Sequence, residues 1–154
     1  MAQHEISASA LIQSPAELVY AIIADYHNGH PLILPKPYFV SMQVEQGGIG
    51  SGTVVSWKMK LMGKLQEFRA VITEPEPGRV LVETNDGGGA VTKFVVDPRN
   101  GGQAAVVTIS TSVVIRDGIL GKLEGWMTTH LLHPIYVKEL EQLNMVAANW
   151  KIKK

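Results

Sequence analysis

Between residues 38 and 115 the sequence alternates short period-two apolar runs with breaks rich in glycine and proline. No other feature limits the fold as tightly. The runs predict strands at 39–45, 53–61, 64–74, 79–84, 91–96 and 104–115. The breaks hold Gly47 and Gly48, Met62 and Gly63, the Pro-Glu-Pro-Gly stretch 75–78, the glycines 87–89, and Pro98 with Gly101 and Gly102. Connections this short join antiparallel neighbours, because a parallel pair needs a crossover of a dozen residues or more. The segment therefore reads as a meander, and most of the fifteen glycines serve it as turn residues.

Helical signals flank the meander. Ile6, Ala8, Ala10 and Ile12 alternate with Ser7 and Ser9 as a first strand. Ser14, Pro15, Ala16 and Glu17 then predict a helix start, with Ser14 as cap, Pro15 at the first helical position and Glu17 closing a capping box. That helix should run to about Ala24 and bury Leu18, Val19, Ile22 and Ile23. A second short helical or irregular segment over 25–34 ends at Pro35 and Pro37. After Asp117 and Gly118 a long helix is expected over 119–150. Centred on Leu140, one face gathers Leu123, Trp126, Thr129, His133, Tyr136, Leu143 and Ala147. Strand, two helices, six strands and a long helix make a two-layer α+β fold over 1–154, read as one domain. A curved sheet of six or seven antiparallel strands does not match a straight helix everywhere, so a pocket is expected between them.

Composition narrows the functional classes. Lysine and arginine number 14 and aspartate and glutamate 14, which argues against a nucleic-acid or anionic-membrane binder. With no cysteine, thiol chemistry and cysteine metal sites are excluded. No apolar run approaches the ~20 residues needed to span a bilayer. The start, Met1 to Glu5, lacks the basic and apolar regions of a signal peptide, so a cytoplasmic location is expected. The glycine-rich stretch 47–52 lacks G-x-G-x-x-G spacing and leads into a strand, and 118–123 is too short for a phosphate loop. No G-x-S-x-G elbow is present. The basic residues of 151–154 read as a solvated helix end. Neither a cofactor nor an oligomeric interface is specified.

The element order and three stretches resemble the START-like superfamily, in its bacterial polyketide cyclase/dehydrase and lipid-transport branch. The stretches are Ser14-Pro15-Ala16-Glu17-Leu18-Val19-Tyr20 running on to Tyr26, Gly52-Thr53-Val54-Val55-Ser56-Trp57, and Gly118-Ile119-Leu120-Gly121-Lys122-Leu123-Glu124. The resemblance covers nearly the whole chain. It implies a helix-grip fold, a curved antiparallel sheet wrapped around the C-terminal helix. It also implies a hydrophobic ligand, since members bind lipids, polyketides and other apolar metabolites and some catalyse. Where relatives carry a short acidic segment after the first helices, this chain has Tyr26-His27-Asn28-Gly29-His30-Pro31.

Candidate site residues follow from the faces. Trp57 and Phe94 lie on strand faces opposite lysines and Phe68 opposite Glu67 and Arg69, so all three are assigned inward, as core or as pocket walls. With Trp126 they would give a ligand apolar contact. Thr129, His133 and Tyr136 are the polar members of the helix stripe; each either bonds to strand side chains or orients a ligand. His133 is the best candidate for a general acid or base, because an imidazole titrates near neutrality. The histidine-rich loop 26–38, with Tyr26 and His30, is placed at the pocket entrance. His27/His30 and His130/His133 are spaced i, i+3, but without a carboxylate or cysteine nearby they make a weak metal signal, and no metal is expected. The expected activity is binding of a small hydrophobic or aromatic molecule. The alternatives are a cyclase or dehydratase acting through His133, and an interaction domain of co-chaperone type.

Overall fold

The computed structural model describes residues 2–150, so the basic tail 151–154 lies outside the described residues. The order is β1 (Ala2–Ile12), α1 (Ala16–Ala24), α2 (His30–Ile33), β2 (Phe39–Gln46), β3 (Val54–Leu61), β4 (Lys64–Glu76), β5 (Val80–Asn85), β6 (Val91–Arg99), β7 (Ala104–Ile115) and α3 (Gly118–Asn149). All seven strands form one antiparallel sheet in the order β1-β7-β6-β5-β4-β3-β2. The meander runs from β2 to β7, and β1 returns to pair along the whole of β7. With α3 gripped against this sheet and two short helices after β1, the architecture is the helix-grip fold.

The inward faces follow the alternation of the sequence. β1 buries Ile6, Ala8 and Ile12, and β7 buries Ala105, Val107, Ile109 and Thr111. β3 buries Val55, Met59 and Leu61 on the face that also carries Trp57. Val19, Ile22 and Ile23 of α1 and Ile135, Leu140 and Leu143 of α3 complete the core.

Two local expectations are corrected. Ser14 does not cap α1; Pro15 takes the cap position with ψ 135°, and its carbonyl accepts the first helical bond from Val19 N–H. An extended Pro15 shifts the helix one residue onward, and no capping box closes. The second correction concerns the buried face of α3. From Tyr136 onward it follows the expected stripe, but before that it runs through Ile135, Gly125 and Gly121. Leu123, Trp126 and His133 of that stripe are exposed.

Backbone proximity explains the second correction. A Cβ on Gly121 would stand 1.5 Å from the Arg116 carbonyl oxygen, and one on Gly125 would stand 2.9 Å from the His4 ring. The helix thus approaches β1 through Gly125 and packs through Gly121 on the connection that follows β7. Ranking faces by hydrophobicity misses a contact made by residues without side chains.

Candidate ligand-binding cavity

A cavity of about 70 Å³ lies between the sheet and the second half of α3. Its apolar walls are Leu34, Phe39, Met42, Trp57, Met59, Phe94, Ile109 and Leu132, and its polar lining is His30, Glu83, Thr92, Tyr136 and Glu139. Neither lysine nor arginine lines it.

The loop between α1 and α2 positions the first polar group. Asp25 Oδ1 accepts from the backbone N–H groups of His27 and Asn28, both at 3.0 Å. The Asp25 carbonyl accepts from Gly29 and His30 N–H. Gly29 permits this tight turn because a Cβ there would sit 2.4 Å from the Ile22 carbonyl oxygen. The glycine-rich loop 47–52 clasps the turn from outside: Tyr26 N–H donates to Gly48 O at 2.7 Å and Gly50 N–H to Ala24 O at 2.9 Å. The result is a fixed pair of stacked rings, Tyr26 over His30, with centroids 4.3 Å apart and planes 14° apart. The edge of His30 meets Phe94 at 5.3 Å.

His30 is fully buried, and its Nδ1–H donates to the Ile23 carbonyl at 2.7 Å. That bond assigns the proton to Nδ1 and leaves Nε2 facing Glu83 Oε2 at 3.6 Å. Burial lowers the pKa of His30, opposed by the Glu83 carboxylate and the Ile23 carbonyl. The Tyr26 hydroxyl donates to Glu83 Oε2 at 2.6 Å. Burial, then the charge of Glu83 and that bond, hold the Tyr26 phenol well above its ordinary value.

On the helix side, the hydroxyls of Tyr136 and Thr111 are bonded at 2.5 Å, and Thr111 continues to Thr92 at 2.8 Å. Burial is the main cause pushing the Tyr136 phenol up to about 12. Glu139, one turn further along α3, is 3% exposed. Its carboxyl borders the cavity and has no hydrogen-bond partner among the described residues. Desolvation, reinforced by Glu83, raises its pKa well above the carboxylate range. The indole N–H of Trp57, on the opposite wall, is also buried without a partner among the described residues.

Of the residues singled out in the sequence, His30, Trp57, Phe94 and Tyr136 line this cavity. Tyr26 stands behind the lining and acts on it through Glu83. Phe68 is a correction: it is half-buried and stacks on Trp57 at 5.6 Å rather than lining the cavity. Three more corrections come from the turned face of α3. Trp126 is 59% exposed and packs on His130. Thr129 is hydrogen-bonded to the His4 ring at 2.6 Å, away from the cavity. His133 is exposed, outside the lining. The two histidine pairs do not gather, since His30 is buried while His27, His130 and His133 are exposed.

Glu83 and Glu139 escaped the sequence reading. Glu83 lies two residues from the buried Leu81 in β5, so alternation alone puts it inward. Glu139 lies three residues after Tyr136 and four before Leu143, at helical spacing on the buried face. Both signals were legible, but a charged residue type weighed against reading either position as interior.

The family model for polyketide cyclase/dehydrase and lipid transport matches residues 3–148. The chain belongs to this family. Among solved structures, the KanY protein is similar to it at 25% identity, with a TM-score of 0.82, 97% of this chain and 100% of that chain covered. An aromatase/cyclase, Zhui, from a Streptomyces species is 16% identical with a TM-score of 0.74, covering 96% of this chain and 94% of that one. A START superfamily protein from Mycobacterium smegmatis is 12% identical with a TM-score of 0.74, covering 96% and 99%. At these identities the last two likenesses show the shared fold. No functionally curated protein matches the sequence. Within this polyketide cyclase/dehydrase family fold, the cavity lies between sheet and long helix, and no helix among the described residues is long and apolar enough to cross a membrane.

Proposed function

We propose that this protein binds a small hydrophobic or aromatic molecule in the cavity between the sheet and α3. The observation that carries the reading is the lining itself: apolar and aromatic walls with a few polar groups, and a buried Trp57 indole N–H without a partner among the described residues. That is the chemistry of a binding pocket, whereas a finished core satisfies its buried polar atoms. The volume of about 70 Å³ is well below the ~300–1,000 Å³ of ligand pockets, so binding requires the walls to yield. Met42 and Met59 suit that role, because unbranched thioether side chains change rotamer at little cost. Thermal-shift measurement against a panel of apolar metabolites tests the reading. Saturable stabilisation by one chemical class, lost in Met42→Trp, is expected; a flat panel contradicts it.

A second reading, a cyclase- or dehydratase-like enzyme on a polyketide-like substrate, is favoured by the buried carboxyl of Glu139. A cavity-facing carboxyl whose pKa is raised by burial is placed to exchange a proton with a bound substrate, a position that His133, outside the lining, does not hold. This reading predicts that Glu139→Gln retains binding and loses turnover, while His133→Ala changes neither.

A further inference from the structure

We infer that the cavity selects ligands whose buried end is an amine, and refuses carboxylates of the same skeleton. The inference rests on the binding reading above and adds the polarity of the ligand. Two carboxyl groups, Glu83 and Glu139, face one small apolar space. A buried carboxyl pair is costly unless donors or a cation compensate it. The compensation from the protein is one-sided. Glu83 accepts from Tyr26 at 2.6 Å and has His30 Nε2 at 3.6 Å, whereas Glu139 has no hydrogen-bond partner among the described residues.

The only basic side chain in the lining is His30, and its Nδ1–H is committed to the Ile23 carbonyl. An entering carboxylate would therefore meet two acids and no available cation. An entering ammonium would meet Glu139, which has no hydrogen-bond partner among the described residues, with apolar walls for its hydrocarbon. The Tyr136 and Thr111 hydroxyls are already bonded to each other, which leaves Glu139 and the Trp57 indole N–H for the ligand, and of these two Glu139 alone can pair with a cation.

The test is a matched set: benzylamine, benzyl alcohol, benzoate and toluene, titrated at neutral pH and followed by the Trp57 indole N–H resonance. The expected result is benzylamine binding about tenfold or more tightly than benzoate. In Glu139→Gln and in Glu139→Leu that gap should close to within about threefold, with toluene unaffected or improved. Two variants are used so that a folding defect in one, visible in its amide spectrum, leaves the other to decide. Benzoate binding as well as benzylamine, or a gap unchanged in both variants, overturns the amine assignment while leaving the cavity a ligand site. If all four compounds, toluene included, leave the Trp57 resonance unmoved, the binding reading falls and the amine assignment with it.

Discussion

At the scale of single residues, the cavity is a balance between two buried titrating groups with opposite effects. Burial raises the pKa of Glu139 above its ordinary 4.5, so the folded chain holds a proton that the unfolded chain releases. Its stabilising contribution is complete below pH 4.5 and is lost as the pH rises toward the folded value. His30 works the other way. Its pKa is lowered from 6.5, so its contribution is present above pH 6.5 and is lost as the pH falls toward the folded value. Glu139→Gln removes the first effect alone. The difference in Tm between this variant and the parent should therefore grow in the variant's favour as the pH rises from 4.5, and a difference independent of pH contradicts it. Tyr26→Phe strips Glu83 of its one strong donor, and urea denaturation should show a loss of about 1–3 kcal/mol.

At the scale of elements, α3 divides into two halves that meet the sheet differently. The second half packs large side chains, so Leu140→Ala should cost about 2–5 kcal/mol. The first half relies on backbone approach at Gly121 and Gly125 and leaves Ile119, Leu123 and Trp126 in solvent. Trp126→Ala and His133→Ala should each change stability by no more than about 0.5 kcal/mol, whereas Gly121→Ala should destabilise strongly. Chemical denaturation of the four variants checks this ordering. A large loss in Trp126→Ala would restore the stripe expected from hydrophobicity.

The same division explains what the sequence made legible. Strand alternation and glycine-rich turns revealed the meander and the inward faces of Trp57 and Phe94, whereas on β7 alternation left open whether Ala105, Val107, Ile109 and Thr111 or the opposite face of valines and hydroxyls points inward. Those signals report side chains alternating across one sheet. The rotation of α3 was hidden, because glycines contribute no hydrophobicity to a helical stripe. Two of the five polar lining residues were hidden for the related reason that Glu83 and Glu139 are charged residue types in interior positions. Tyr136, Trp57 and Phe94 were found because aromatic rings on inward faces lead to the centre of the fold, while His30, expected in a loop at the entrance, is buried in the lining instead.

At the scale of the whole molecule, the helix-grip fold brings β2, β3, β5, β6, β7, α2 and α3 to one small space with apolar walls and two carboxyl groups. The chain places one tryptophan, Trp57, in that space and another, Trp126, in solvent on the far part of α3. They report separately on the cavity and on the surface. The most direct measurement is a heteronuclear NMR titration of the indole N–H signals, assigned with Trp57→Phe and Trp126→Phe, against a bound apolar compound from the thermal-shift panel. Occupation of the cavity predicts a saturable shift of the Trp57 signal with that of Trp126 unmoved. A shift of Trp126 with Trp57 still would place the compound on the exposed helix face and contradict a ligand cavity between sheet and helix.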